Sequence, residues 1–416
     1  MKVIVIGAGI TGVATAEWLR RDGHEVTLID RIPPGDRRQT SFGNAGILAS
    51  AAIVPVASPG ILPKAIRMVF DPDSPLFLKW SYLPRLLPWL IPFLRNGNAR
   101  RVGEIAGGLL PLIGDAVDQH MSLAKSTPAE RFITLGPYVF LYPDMRAYEA
   151  DSFAWNLRAK HGLGWDELDR TALVERDPKL SESFRFGCAL HNHAWITSPA
   201  GYVSALGEHF RQQGGRLVIG ELADILPVED GTAKAVITDG TEYPADRVVL
   251  CAGVWSKRIA ERLGHRVNME AERGYHVMLS HPSHKPPTPY MVASKKTAFT
   301  PMEDGLRVGG IAEFAGIDPE AHEPPRRFVE TQIRTVYPDL EWESETAWMG
   351  RRPSTADSLP LIGPSPKVPG VIFAFGGQHL GLTMGARVGR MVADLIAGRQ
   401  TNIDMRPYRV DRFDRR

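Results

Sequence analysis

The first thirty residues, MKVIVIGAGITGVATAEWLRRDGHEVTLID, constrain the chain more than any other stretch. Val3 to Ile6 form a short apolar, β-branched run, too brief for a helix and suited to a parallel strand buried on both faces. Gly7, Gly9 and Gly12 follow at once with G-x-G-x-x-G spacing. In that spacing the first glycine permits a tight turn, the second lets a pyrophosphate approach the backbone, and the third lets the helix pack close to the strand. The helix from about Ile10 to Arg21 stops near Gly23, and a second strand runs from Glu25 to Ile29. Asp30 ends it, about 20 residues past the glycines, where a carboxylate accepts both hydroxyls of a ribose. That acid would repel a 2′-phosphate, which disfavours NADP. The three glycines alone would suit a turn in some other α/β domain; strand, helix, second strand and acid in order make a dinucleotide-binding unit. FAD and NAD share the pattern, so these residues do not separate them.

With 416 residues the chain is long enough for two domains. Lys and Arg total 49 against 47 Asp and Glu, and a net charge of +2 argues against nucleic acid as a partner. The basic end, Arg406 to Arg416, reads as a solvated tail. Cys188 and Cys251 are the only cysteines and stand far apart, so neither a disulfide framework nor a thiolate metal site is expected. His191 and His193 share one face of a strand but lack a third ligand, and no metal is predicted. The apolar start is broken by glycines and ends in Arg20 and Arg21 without a cleavage site, so no signal peptide is expected and the location reads as cytoplasmic.

The segment LFLKWSYLPRLLPWLIPFLRN, residues 76–96, complicates that reading. Its longest charge-free part, Leu86 to Leu94, is far short of the ~20 residues that cross a bilayer. Pro84, Pro88 and Pro92 predict kinked short helices rather than one straight rod. Trp80, Trp89 and Phe93, flanked by Lys79, Arg85, Arg95, Arg100 and Arg101, suit either of two roles. One is a peripheral contact through residues 76–101 with the inner face of the cell membrane; the other is a buried helical hairpin in the second domain.

Beyond Asp30 the chain turns small and polar, and Ser41, Asn44, Ala45 and Gly46 can bring backbone N–H groups against a flat ring. Residues 215–246 read as a β-meander leading into ADRVVLCAGVWS. There an apolar strand, Val248 to Cys251, ends in the small pair Ala252 and Gly253, which can approach the nucleotide. Near the C-terminus a strand from Val371 to Phe375 enters Gly376 and Gly377. The helix that follows has apolar residues at Val388, Met391, Val392, Leu395 and Ile396 and stops at Gly398. Its N-terminus carries free N–H groups and partial positive charge, which would stabilise a reduced flavin.

Five blocks, VIGAGITG, TSFGNAG, VVLCAGVWS, GRRPSTADSLPLIG and GGQHLGLTMG, stand in the order seen in the FAD-dependent D-amino acid oxidase family. The chain resembles most its bacterial D-amino acid dehydrogenase branch, over nearly its whole length. The resemblance implies an α/β fold: a discontinuous Rossmann-like FAD-binding domain, at 1–50, 180–272 and 345–400, plus an α+β substrate domain with a mainly antiparallel sheet. The substrate domain would take 51–179 and 273–344, leaving 401–416 as a tail. It further implies Gly7, Gly9, Ile10, Thr11 and Gly12 at the pyrophosphate, and Asp30 and Arg31 at the adenosine ribose. Thr40, Ser41, Asn44, Ala45 and Gly46 would border the ring, and Ala223 would lie near adenine. Gly376, Gly377, His379, Leu380, Gly381, Leu382 and Thr383 would surround the pyrimidine end. Cys251 does not stand where sarcosine oxidases attach their flavin, so FAD is expected to be noncovalent.

The activity implied is oxidation of the C–N bond of a D-amino acid, by hydride transfer to FAD N5, to an imine and then a keto acid. Electrons would pass to a quinone or other carrier. Positioning matters most in such chemistry, so the carboxylate anchor is the residue to find. Arginine suits it because its fork pairs bidentately with a carboxylate. Matching GRRP to the family's G-x-R-P makes Arg352 that clamp. Tyr275 and His276 are candidates for the substrate pocket or for satisfied core residues. His379 is a candidate donor beside the ring or a structural residue at a helix start. Two other activities compete: oxidation of a cyclic or N-substituted amino acid, of hydroxyproline, sarcosine or opine type, and a non-enzymatic flavin-binding partner protein.

Overall fold

The alternation of short β-branched runs with glycine-bounded helices builds a parallel sheet around the N-terminal strand. In the computed structural model, which describes residues 1–60, 76–228, 231–317 and 326–414, the sheet has six strands. Their order is Arg216–Ile219, Glu25–Asp30, Lys2–Ile6, Arg247–Leu250, Val371–Phe375, Leu361–Pro364. The first five are parallel and the last antiparallel. Val3 and Val5 face a core shared with helices Ile10–Arg21, Pro199–Gln212 and Gly381–Ile396, while Ile4 and Ile6 face a second core with Ile225 and Ala235. Both faces are covered, which is why the strand reads as an unbroken apolar run. The expected meander divides: Arg216–Ile219 joins the parallel sheet as its edge strand, and Leu222–Pro227, Ala233–Ile237 and Glu242–Ala245 form a separate antiparallel sheet.

A second large sheet is mainly antiparallel. Along it run Ser344–Thr355, Met269–Ser280, Gly305–Phe314, Thr297–Met302, Tyr290–Val292, Tyr138–Tyr142, Phe186–Leu190 and Trp165–Asp169, with Leu76–Leu78 beside Gly305–Phe314. Tyr275, Val277, Leu279, Phe299, Leu306 and Val308 share a core on one face. Alternation therefore puts Glu272, Gly274, His276, Thr300 and Arg307 on the other. That face meets the loop at 40–46: Nδ1 of His276 donates to the Gly43 carbonyl at 3.0 Å, and Arg307 donates to the Phe42 and Asn44 carbonyls.

The kinked short helices expected over 76–96 are, from Leu83 to Arg95, one helix containing Pro88 and Pro92. Pro84 sits in the first turn, where no N–H is needed. Pro88 and Pro92 follow at four-residue steps, so the hydrogen bonds they lose fall along one side of the helix, where carbonyls can meet other donors. One such carbonyl, that of Pro88, accepts from Asn268 Nδ2 at 3.5 Å. Leu86 and Trp89 are buried, and Trp89 Nε1 donates to the Ser354 carbonyl at 2.7 Å, whereas Leu87 and Ile91 are exposed. No described helix is long and apolar enough to cross a membrane. Residues 61–75, which precede this segment, lie outside the described residues.

Two buried histidines support the framework. His120 lies under the start of helix Gly381–Ile396, donating from Nε2 to the Leu382 carbonyl at 2.8 Å and accepting at Nδ1 from the Tyr202 hydroxyl at 2.9 Å. His193 accepts at Nε2 from the Ala51 N–H and donates from Nδ1 to the His191 carbonyl. Burial pushes both down to about 4. The unfolded chain protonates them near pH 6.5 and the folded chain does not, so stability is full above 6.5 and falls as pH drops toward 4. Each group contributes up to about 1.4 kcal/mol per pH unit in that window. Thermal unfolding from pH 7 to 4 should show this decline, and His120→Gln should make it shallower; an identical slope in the variant would remove His120 as its source.

Candidate active site

Two helix ends open toward the C-terminal edge of the parallel sheet. At the first, Gly7 has φ +103°, and a Cβ there would lie 2.6 Å from the Cys251 carbonyl oxygen. A Cβ on Gly12 would overlap the Gly7 carbonyl, so helix and turn touch only because both residues are glycine. Gly9 caps the helix without a side-chain hydrogen bond, and the Ile10 N–H donates to Ser41 Oγ at 3.0 Å. The N–H groups of the first turn are thus presented to whatever lies above them, together with the Thr11 hydroxyl-bearing side chain on the same turn. Asp30 ends the next strand, nearly buried. Its Oδ2 accepts the Ala8 N–H at 2.6 Å, so it braces the glycine turn; burial raises its carboxyl above the usual range despite that bond. The Arg31 guanidinium lies 4.5 Å from the centre of the Trp255 ring, just past Ala252 and Gly253.

At the second end, strand Val371–Phe375 passes through Gly376 and Gly377 into a short 3-10 turn, Gln378–Leu380, and then helix Gly381–Ile396. Leu380 caps the helix without a side-chain bond. Thr383 Oγ1 donates to the Ile47 carbonyl at 3.1 Å and accepts from the Ala49 N–H at 3.3 Å, tying the extended segment after Gly46 to this helix. Asn44 Oδ1 accepts the Gly46 N–H, and Thr40 Oγ1 donates to the Arg351 carbonyl. The loop at 40–46 therefore spans from the first glycine turn to the antiparallel sheet, with Ala45 within it.

These residues fit FAD. A cradle that a Cβ would fill at Gly7 and Gly12, two helix ends without side-chain caps at one sheet edge and a half-buried acid after the second strand suit a pyrophosphate, a ring's pyrimidine edge and a ribose. Neither cysteine is poised to bond a flavin: both are buried, and burial pushes the Cys188 and Cys251 thiols up to about 12. Ala223 lies on the small antiparallel sheet, where its carbonyl accepts from the Arg262 guanidinium.

The antiparallel sheet brings its own charges to this edge. Glu272 and Arg352 are paired across strands, with Arg352 Nη1 2.6 Å from Glu272 Oε1, and Ser354 Oγ donates to Glu272 Oε2 at 2.8 Å. Gly274, next along the face, leaves room for the guanidinium; a Cβ there would overlap it. Burial raises the Glu272 carboxyl, but Arg352, His379 and Ser354 together hold it below its usual range. His379 is pushed below its ordinary value chiefly by burial, with Glu272 opposing and Arg352 reinforcing the shift. His379 from the helix entry and Arg352 from the sheet thus share one electrostatic environment, though 27 residues separate them in sequence.

Tyr275 and His276 do not share a pocket. They are neighbours on a strand, so they face opposite sides. Tyr275 points into the core behind the sheet, where its hydroxyl donates to Glu313 Oε2 at 2.5 Å beside the buried Arg273–Glu313 ion pair. Of the two roles open to Tyr275, this contact favours the satisfied core residue. His276 faces the loop, stacked on Trp348 with ring centres 5.1 Å apart. Burial, with Arg307 adding to it, drives His276 well below its usual value, so it is neutral with the proton on Nδ1. Trp348 lies over Gly43 and Gly350, each of which would clash with its ring if it carried a Cβ.

Glu272, Trp348 and Arg307 were not foreseen. Arg307 had a signal: in GLRVGG a charged residue stands between Leu306 and Val308 in a strand whose alternation makes those two core. Glu272 had none, because its partner lies 80 residues away.

Two substitutions separate these roles. Tyr275→Phe should cost about 1 kcal/mol of stability and leave KM within about twofold, as measured by unfolding and steady-state kinetics; a large KM effect would return Tyr275 to the site. Glu272→Ala should destabilise by roughly 1–3 kcal/mol, less than a fully buried pair would lose, because Arg352 keeps 25% of its side chain exposed.

Comparison with known proteins places this geometry. The chain is 35% identical over 416 residues to a D-amino-acid oxidase of Bradyrhizobium diazoefficiens, covering 99% of this chain and 98% of that one. It is 30% identical over 417 residues to a D-amino acid dehydrogenase of Rhizobium johnstonii, covering 99% of this chain and all of the other. Its fold is similar to that of glycine oxidase from Geobacillus kaustophilus, with a TM-score of 0.74 at 19% identity over 99% of this chain and 98% of that one. Residues 2–395 match the family described as FAD dependent oxidoreductase, and with the flavin cradle just described the chain belongs to that family, an α/β flavoprotein of the D-amino acid oxidase group.

Proposed function

We propose that this flavoprotein oxidises the C–N bond of a D-amino acid to an imine, which water converts to a keto acid and ammonia. When bound, FAD supplies a two-electron acceptor for the hydride leaving the carbon that bears nitrogen. The observation that carries the reading is the meeting of Arg352, on the antiparallel sheet, with His379, at the entry to the last helix, through their common neighbour Glu272. A guanidinium is thereby held where a substrate carboxylate can be fixed beside the cofactor edge.

The chain's own residues have distinct tasks in this reaction. Arg352 binds the carboxylate, and Glu272 keeps its guanidinium in one orientation before substrate arrives. His276 is neutral, and with Nδ1 bonded to Gly43 its Nε2 stands as an uncharged acceptor on this face; the substrate amine must arrive neutral, its proton lost to solvent. Gly7, Gly9, Ile10, Thr11 and Gly12 would hold the pyrophosphate, Asp30 and Arg31 the adenosine end, and Gly376 through Thr383 the pyrimidine edge. In this arrangement residues 1–50, 180–272 and 345–400 form the cofactor-binding unit and 51–179 with 273–344 the substrate unit, with strands Phe186–Leu190 and Ser344–Thr355 of the first unit joining the antiparallel sheet of the second. The D preference is supported by the names of the two curated relatives.

Electrons leave to a quinone or another carrier at a membrane surface. Support comes from helix Leu83–Arg95, where Pro84, Leu87 and Ile91 follow one another at helical spacing on the exposed side, flanked by exposed Arg85 and Arg95. The location is then the cytoplasm with peripheral attachment to the inner face of the membrane.

Anaerobic mixing with a panel of D-amino acids, proline-type rings and N-methyl amino acids tests the activity: D-amino acids should bleach the flavin fastest. Fastest bleaching by secondary amines would shift the assignment to the cyclic or N-substituted class, and no bleaching by any amine would end it. Arg352→Lys should raise KM by about 30-fold or more while FAD stays bound, the loss expected for a bidentate charged contact. In a separate test, Leu87→Glu with Ile91→Glu should abolish co-flotation with anionic vesicles; unchanged flotation would remove the helix as the contact.

A further inference from the structure

The geometry points to Arg307, on the same sheet face as Arg352, as a second and obligatory anchor for the substrate carboxylate, supplying the positive charge that Glu272 cancels at Arg352. This deepens the proposed amino acid oxidation and rests on it for the identity of the substrate.

Arg307 is only 6% exposed and forms no ion pair among the described residues. Its hydrogen bonds run from Nη1 to the carbonyls of Phe42 and Asn44, and Nε is buried without a partner. Directly across the ladder, Thr300 is fully buried and its hydroxyl also lacks a partner among the described residues. Two adjacent unsatisfied polar groups in one buried layer are costly unless a ligand or water completes them. The acid whose field reaches Arg307, Asp304, is exposed, and burial still lowers the guanidinium to about 10.

The comparison with the neighbouring cations is what assigns the role. Arg352 already has Glu272, so the pair brings no net charge to an incoming carboxylate. Arg273 has Glu313 and faces the opposite core. Arg158 also lacks an acid partner but lies against the faces of Phe140 and Trp155, at 5.2 and 4.6 Å from the ring centres, and donates to the Ala51 carbonyl. Among the described residues Arg307 has neither carboxylate partner nor aromatic cover. It stands beside His276, across from which the strand carries Gly309 with no side chain to fill the space. By holding the 42–44 carbonyls with Nη1, the side chain is also fixed in direction before substrate binds, which keeps the entropy cost of capture low.

The test compares acid and amide in the holoenzyme. Propanoate should perturb the flavin absorbance spectrum of the native protein, and propanamide should do so far more weakly. Arg307→Gln should weaken propanoate binding by about 30-fold or more and raise KM for a D-amino acid by a similar factor. It should leave KM for the corresponding D-amino acid amide within about twofold. Arg307→Lys, which keeps the charge, should recover part of the loss and serves if the glutamine variant does not fold. FAD content and unfolding temperature report the structural contribution of the Phe42 and Asn44 bonds. Equal effects on acid and amide, or propanoate binding unchanged in both variants, would overturn the assignment. A holoenzyme that binds propanoate through Arg307 yet is bleached by no amino acid would sink the functional reading alone; bleaching by D-amino acids with an acid-to-amide ratio indifferent to Arg307 would sink this one alone.

Discussion

The close approach of two helices holds the cofactor edge together. Helices Ile10–Arg21 and Gly381–Ile396 come from opposite ends of the chain and lie against each other on one face of the parallel sheet. Gly385 meets Ile10, where a Cβ would lie 2.8 Å from Cγ1, and Gly389 meets the backbone of Ala14, where a Cβ would lie 2.7 Å from its carbonyl carbon. Glycine inside a helix costs about 0.5–1 kcal/mol relative to alanine. That cost is accepted here because only hydrogen allows the axes so near. The consequence is positional: both N-termini open toward the same sheet edge, where one cofactor would meet them.

The antiparallel sheet adds a different constraint, that of charge in a buried layer. Its face toward the cofactor edge carries two arginines and one neutral histidine, and only one of those arginines has an acid partner across the ladder. Pairing Arg352 with Glu272 fixes its direction but spends its charge. Leaving Arg307 unpaired preserves charge at the expense of desolvation, and, without the aromatic cover that Arg158 has, the proposed substrate carboxylate would offset that cost. Trp348, stacked on His276 and seated over two glycines, closes this face against the 40–46 loop. The site is thus assembled from a preorganised pair, an unpaired cation and an aromatic wall.

Local patterns made much of this readable in advance. The first strand, helix and second strand, the last strand and helix, and the acid after them are each written in a few contiguous residues, because strand alternation, helical spacing and glycine positions act over short distances. The same holds for Arg352, whose neighbours GRRP carry the resemblance. Two expectations changed and one open choice narrowed, each for a nonlocal reason. The prolines of 84–92 read as breakers, but a four-residue spacing puts their missing bonds on one side of a single helix. The meander gave up its first strand to the parallel sheet, where Glu25–Asp30 offered an edge. Tyr275, a candidate for pocket or core, is turned toward Glu313 by the strand's direction.

The boundary between the two kinds of information follows the range of the forces. Backbone conformation, helix ends and the dinucleotide turn depend on steric and hydrogen-bonding preferences of neighbouring residues, so the amino-acid order alone specifies a dinucleotide site, and the resemblance of five blocks to a known family names the flavin. Which arginine keeps its charge is settled by ladder register between strands 80 residues apart for Glu272 and Arg352, and by the absence of any acid opposite Arg307. Coulomb and desolvation energies depend on distance and burial in space, and neither can be measured along the chain.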